Sequence, residues 1–414
     1  MNQPTDNATS ISLVLAGSGG SGVITAGNML LAAAAKAGWY GLMTRSAGPQ
    51  IRGGEAAALL RLSSEPVSAQ PDRYDLIIAL DWMNFERFAD EIPLDENTVI
   101  IGDASAAKKT PAFVTEGPAR RGDIDFKNLS KAIPGGRPNM IALGTVGALI
   151  GLPEDALDAA LSDALAKRGE DAIAASRAGA QAGRSVAADM PATPKLPTPE
   201  GEKAGRWLIS GNEAAGLGAI RGGVRFVAAY PITPATEILE WMSPALTKVG
   251  GVLVQAEDEL ASINMAIGGS YGGVPALTAT SGPGLALMTE AIGLAVASEV
   301  PVVIVDVMRG GPSTGIPTKS EQSDLNMALY ALPGDAPHIV VAPNSIRDCV
   351  FTTQWSVHLA EAMQTPAIVL SDQALGQAKS VIAAPADIAF IAQRETAATP
   401  AEGEDYQRYA VTAS

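Results

Sequence analysis

Cysteine is almost absent from this 414-residue chain, in which Cys349 stands alone. A single thiol excludes an internal disulfide, a cysteine-ligated zinc site and an iron–sulfur cluster held by this chain by itself, so any such cluster must sit on a partner. Histidine is nearly as scarce, and neither His338 nor His358 neighbours another plausible metal ligand in sequence. Each reads as a structural histidine, and no metal is expected on this chain. Positive charge is in deficit, with 29 Lys and Arg against 44 Asp and Glu and a formal net charge of −15. A chain of that sign repels phosphate backbones, which argues against nucleic acid as a partner. A long hydrophobic run is also missing at the start: Met1 to Ser10 is polar, and the apolar segment that follows breaks at Gly17. Those flanks argue against a signal peptide and against membrane insertion, and a cytoplasmic protein is expected.

What is present is globular material, 47% hydrophobic and 18% charged, which leaves no room for wholesale disorder. The expected fold class is α/β, with two α/β domains that each carry a mostly parallel sheet flanked by helices. In the first block, residues 1–188, the apolar runs 11–15, 75–80 and 98–101 read as strands. Val23 to Ala37, Asn139 to Ile150 and Glu154 to Ala188 read as helices between and after them. Met190 to Pro199 repeats proline too often for helix or central strand, so 189–205 reads as a linker. The second block, 206–385, alternates again, with strands expected at 226–229, 251–254, 276–279, 302–307, 339–342 and 367–370.

Gly17-Ser18-Gly19-Gly20-Ser21-Gly22 follows a strand and opens a helix, so its glycines can bring backbone N–H groups close to an anion. The acidic residue that a dinucleotide site needs about 20 positions on is missing, which disfavours NAD. A tight strand–helix turn is the plainer reading. Arg52, in a second Gly-rich loop, could meet phosphate or form an interface ion pair.

Four loops of the second block lie at strand C-terminal ends, the edge where open α/β sheets bind ligands. Tyr230-Pro231-Ile232-Thr233-Pro234 places Thr233 between two stiffening prolines, or equally at a helix N-cap. Glu257-Asp258-Glu259 is either a set of exposed first-turn carboxylates or a source of one functional carboxylate. Thr280-Ser281-Gly282-Pro283-Gly284 makes a compact loop. Arg309, where a buried strand meets Gly310-Gly311-Pro312-Ser313-Thr314-Gly315, is an ion-pair partner or a carboxylate clamp.

In these residues the chain resembles the 2-oxoacid:ferredoxin oxidoreductases, specifically a fused gamma–alpha subunit of the 2-oxoglutarate type. Gly17 to Gly22 and Arg52-Gly53-Gly54 resemble the gamma domain. Tyr230 to Pro234, Glu257, Thr280 to Gly284 and Arg309 to Thr318 resemble the alpha subunit's pyrimidine-binding domain for thiamine diphosphate. The resemblance implies that Glu257 contacts the aminopyrimidine, with Tyr230, Pro231, Ile232, Thr280, Ser281, Gly282 and Pro283 around the cofactor. It implies that Thr233 and Arg309 hold the 2-oxoacid, and that Gly17, Gly19, Gly20, Gly22 and Arg52 form an anion or coenzyme A loop. The implied activity is oxidative decarboxylation to acyl-CoA, with ferredoxin as electron acceptor.

The chain has no Gly-Asp-Gly segment of the kind that binds magnesium and the cofactor's diphosphate. The resemblance therefore places Mg2+ and the iron–sulfur cluster on a beta subunit, without which the chain is expected to be inactive. Because the family's alpha subunit usually continues into another domain, residues 386–414 read as a connector to a missing C-terminal domain. The alternatives are a non-catalytic assembly subunit of such a complex, or a nicotinamide-dependent dehydrogenase.

Overall fold

The computed structural model describes residues 8–48, 53–197 and 205–388, together with 391, 393–394, 400, 402–407 and 410–411. The described strands, in chain order, are β1 (Ser10–Ser18), β2 (Tyr40–Ala47), β3 (Glu55–Ser63), β4 (Leu76–Ala79), β5 (Val99–Asp103), β6 (Arg120–Ile124), β7 (Arg206–Ser210), β8 (Phe226–Ala229), β9 (Val252–Gln255), β10 (Ala276–Thr280), β11 (Val303–Met308), β12 (Ile339–Val341), β13 (Ala367–Asp372) and β14 (Lys379–Ala383). They form an eight-stranded sheet in the order β6-β5-β4-β1-β3-β2-β14-β7 and a six-stranded sheet in the order β12-β13-β11-β10-β8-β9.

The α/β class expected from the sequence is the one observed. All five pairings of the second sheet are parallel. In the first sheet parallel pairing runs from β1 through β4 and β5 to β6, whereas β1–β3, β3–β2, β2–β14 and β14–β7 are antiparallel. That half departs from a mostly parallel sheet because β2 and β3 follow one another through a short connection, which only antiparallel neighbours can share. β7 and β14 flank the second sheet in sequence yet complete the first in space. Pairing of β14 with β2 covers an edge that would otherwise leave a row of backbone groups unpaired.

The helix Val23–Ala37 has the bounds its apolar pattern predicts and ends at Gly38, whose N–H returns to the carbonyls of Ala34 and Ala35. The long helix expected from Glu154 is instead two, Glu154–Leu165 and Glu170–Val186. Gly169 between them takes φ 87° and ψ 164°, a conformation open to glycine that ends one helix and starts the next. The described part of the proline-rich segment is extended and strapped to the first block. Leu196 is buried there, the Thr193 hydroxyl donates to the Leu149 carbonyl, and Trp39 Nε1 donates to the Pro197 carbonyl at 2.8 Å. Among the described residues no helix is long and apolar enough to cross a membrane.

The second sheet positions the site. From β8 the chain steps outward to β9, then returns across β8 to β10 and β11, so strand order reverses between β8 and β10. Such a reversal leaves a crevice at the carboxyl ends of the strands, where the two following connections diverge.

Candidate active site

Each loop at the reversal is set by local chemistry. After β9, Asp258 caps the helix Glu259–Tyr271, its carboxylate accepting from the Ala261 N–H at 2.7 Å. That cap fixes the phase of the acidic triplet: Glu257 is left exposed, whereas Glu259 turns inward and is 8% exposed. After β10, Ser281 and Pro283 start the helix Gly282–Ala297. After β11, Arg309 enters the turn that returns at Lys319, where the Gly310 N–H meets the Lys319 carbonyl at 2.8 Å.

Arg309 binds these loops together. Its Nη1 donates to the Thr233 carbonyl at 2.6 Å and its Nη2 to the Thr314 carbonyl, while Nε is buried without a partner. Burial lowers the affinity of this guanidinium for its proton, and the nearby Glu259 carboxylate opposes that change. Glu259 also approaches the β10 loop: a Cβ on Gly284 would lie 2.0 Å from Thr280 Oγ1 and 2.7 Å from Glu259 Cγ. Only a glycine admits so close an approach. Thr280 and Ser281 are fully buried, and the Ser281 hydroxyl has no hydrogen-bond partner. Gly282 and Pro283 lie at the start of the same helix, and Tyr230, Thr233 and Glu257 reach the surface, with Pro231 and Ile232 half-buried.

The structure thus gathers Thr233, Thr280, Ser281, Gly282 and Arg309 at the strand reversal, with two carboxylates of one loop beside them: Glu257, exposed in this chain, and Glu259, which the sequence reading did not single out and which is buried. The available signal was the capping frame, since an Asp at the N-cap turns the next residue into the first turn. Asp306 and Asp324, discussed below, carried no motif. The orphaned Ser281 hydroxyl and Arg309 Nε, beside a glycine cradle and a buried carboxylate, suit a polar heterocyclic cofactor and a carboxylate substrate.

The glycine loop lies in the first block. Gly19 N–H donates to the Gly54 carbonyl at 2.7 Å, and Ser18 donates through both its amide and its hydroxyl to Asp81. Gly17 packs behind the loop against Ser21 and Asp81, while Gly19, Gly20 and Gly22 border a cavity of about 1740 Å3. Arg45, Arg137 and Arg168 also border it, and so does Thr318 from the loop after β11. Sequence reasoning had not gathered these three arginines. Arg52 lies outside the described residues.

Comparison with known proteins matches residues 12–186 to a family described as pyruvate ferredoxin/flavodoxin oxidoreductase. Residues 217–411 match one described as pyruvate flavodoxin/ferredoxin oxidoreductase, thiamine diphosphate-binding. The 2-oxoglutarate synthase subunit KorA of Archaeoglobus fulgidus is 51% identical over 178 residues, 43% of this chain and 51% of that protein. The 2-oxoacid:ferredoxin oxidoreductase subunit alpha of Saccharolobus solfataricus is 33% identical over 90% of this chain and 66% of its own length. The chain spans about half the length of the KorA proteins it matches. A solved structure of 2-oxoglutarate:ferredoxin oxidoreductase from Magnetococcus marinus, with 2-oxoglutarate, coenzyme A and succinyl-CoA bound, superposes with a TM-score of 0.89 at 38% identity. That superposition covers 98% of this chain and 71% of the other. With both blocks matched, and one similarity running through nearly all of it, the chain belongs to the 2-oxoacid:ferredoxin oxidoreductase family.

Proposed function

We propose that this chain is the gamma–alpha subunit of a thiamine-diphosphate-dependent 2-oxoacid:ferredoxin oxidoreductase, acting on 2-oxoglutarate in the cytoplasm together with a beta subunit. The reaction takes a 2-oxoacid, coenzyme A and two oxidised ferredoxins to an acyl-CoA, carbon dioxide, two reduced ferredoxins and a proton. The observation that carries the reading is the crevice at the strand reversal, where Arg309 ties two loops around buried Glu259 and the unpartnered Ser281 hydroxyl. The Magnetococcus marinus protein, whose structure holds 2-oxoglutarate and coenzyme A, supports the choice of substrates.

Thiamine diphosphate supplies a nucleophilic carbon and an electron sink for decarboxylation. Glu259 would hold a pyrimidine ring nitrogen by a charge-assisted hydrogen bond, a role that suits a carboxylate screened from water. Tyr230, Pro231 and Ile232 would form one wall, and Ser281, Gly282 and Pro283 the other. Arg309 would meet the substrate's carboxylate or oxo oxygen beside Thr233, through the small part of its guanidinium that is exposed. Glu257, exposed in this chain alone, is the other carboxylate that could take the pyrimidine-holding role once a beta subunit covers the site. Coenzyme A would enter the glycine-loop cavity, where Arg137 and Arg168 would favour its phosphates and Arg45, paired with Glu237 at 2.7 Å, would exchange that partner for one of them.

Mg2+ and the iron–sulfur cluster belong to the beta subunit in this reading. Among the described residues no group of three or more His, Cys, Asp or Glu could hold a metal. The test is co-purification of the 414-residue chain with its beta subunit, followed by 2-oxoglutarate-dependent reduction of a viologen dye with thiamine diphosphate, magnesium and coenzyme A. Dye reduction that needs both chains is expected. A stable complex that reduces no dye, beside an active control enzyme of the same family, would identify an assembly subunit and overturn the proposal.

A further inference from the structure

Two carboxyls secure the loop that follows Arg309, and they do so in opposite ways. Asp372, at the end of β13, is fully furnished with donors: Gln322 Nε2 at 2.7 Å, the Leu375 N–H at 2.8 Å and the Ser320 hydroxyl at 3.3 Å. Asp306, inside β11, has none. It is fully buried on the sheet face it shares with Ile304 and Met308, and neither of its oxygens meets a hydrogen-bond donor. The hydroxyls of Thr278 and Ser281, on the neighbouring strand and its loop, are equally without partners.

Asp306 stands opposite Thr280 in the β10–β11 register, next to the Ser281–Gly282 turn, and the carboxyl that reaches this turn from the far end of the same loop is that of Asp324, whose Oδ2 is likewise buried without a partner. Asp324 is pressed onto the Gly282 backbone so closely that a Cβ there would lie 2.6 Å from Oδ2. Two ionised carboxylates cannot be held together out of water, so the arrangement requires a proton between them. The deeper group keeps it, because Asp306 would lose more solvation on ionising. Burial first and the adjacent Asp324 second push the Asp306 carboxyl well above the ordinary range, and burial also raises that of Asp324.

The charged groups on the elements packed about the pair are Glu321 on the same loop, Glu259 on the helix after β9, Arg309 at the end of β11 and Asp372 at the end of β13. The helix Leu325–Tyr330 has no charged side chain, and the only one on Gly282–Ala297, Glu290, is exposed. Three of the four neighbours are acidic, which favours retention of the proton.

We infer that Asp306 and Asp324 form a proton-held latch that positions the Arg309–Asp324 loop against the crevice, and that loss of this proton at alkaline pH releases the loop. Both are positioning residues. They act through the loop that fixes Arg309, and through Thr318 on the coenzyme-side cavity. The effect on turnover rests on the function proposed above, but the latch itself does not.

The test is hydrogen–deuterium exchange of residues 310–324 in the full chain from neutral to alkaline pH, corrected for the intrinsic pH dependence of exchange. Exchange in the native protein is expected to rise about tenfold or more at the alkaline end. Asp306→Asn, whose amide donates to Asp324 without a titrating proton, is expected to keep the loop protected throughout. In the complex, the same variant would move the alkaline limb of kcat/KM upward. Loop exchange that is flat with pH, or that rises equally in Asp306→Asn, would overturn the latch whether or not the complex is active. Should that variant fail to fold, infrared spectra of the native chain decide: the carboxylic-acid carbonyl band must persist at neutral pH and vanish together with loop protection. Its absence at neutral pH would refute the shared proton.

Discussion

Arg309 Nη1 donates to the Thr233 carbonyl at 2.6 Å, so the arginine that ends β11 holds the backbone of the loop that ends β8, across the strand between them. The residue read from sequence as an ion-pair partner or a carboxylate clamp thus braces two backbone loops. Lysine keeps the charge but lacks the planar fork that reaches the Thr233 and Thr314 carbonyls at once.

Arg309→Lys is accordingly expected to cut kcat/KM for the 2-oxoacid by about 100-fold in the reconstituted complex, on the scale of a lost positioning contact. Steady-state dye reduction measures it. A variant within a factor of about two of the parent would show that the bidentate brace is dispensable.

Glu259 and Glu257 differ in what surrounds them, and their glutamines should differ in kind. Glu259→Gln, at the buried position, is expected to lower turnover by about 100-fold or more, as loss of a positioned acid–base group does. Glu257→Gln, at the exposed position, should leave turnover near the parent value. The reverse order would return the catalytic carboxylate to Glu257.

Gly284→Ala would place a methyl 2.0 Å from Thr280 Oγ1 and 2.7 Å from Glu259 Cγ. Both neighbours are buried side chains with little room to turn, so overpacking should cost about 1–3 kcal/mol. Thermal denaturation checks the cost. Activity is expected to fall further than stability, because the displaced atoms belong to the crevice.

The buried Asp306 makes stability depend on pH with a definite sign. Its carboxyl holds a proton in the folded chain at pH values where the unfolded chain has released it, so the folded state binds more protons there. Stability contributed by this group is full below the ordinary aspartate range. It declines as pH rises from that range to the raised folded value. Asp306→Asn should flatten that decline, so denaturant midpoints of the two proteins should diverge toward alkaline pH in favour of the variant. Parallel curves would remove Asp306 as the cause.

Much of the sheet architecture was legible because buried parallel strands are continuous apolar runs: β8 appeared with its observed bounds and β10, β11 and β13 to within one or two residues. β3, β7 and β14 were not read as strands. β7 and β14 gain partners only when β14 meets β2 and β7, a pairing between positions 41 and 381 that no local pattern announces. The proline segment was legible as a linker that is neither helix nor central strand, but its packing through Leu196 depended on the surface offered by the folded block.

By itself, the amino-acid sequence determined the α/β class, the turn chemistry at four strand ends and the exclusion of a cysteine-held cluster, because these follow from composition and short-range periodicity. Only the tertiary structure decided that Glu259 is buried and Glu257 exposed, that Arg309 binds two backbone carbonyls, and that Asp306 and Asp324 come to the same turn. The reason is burial. A carboxylate's role depends on whether water or a donor reaches it, and that is settled when distant segments close over it.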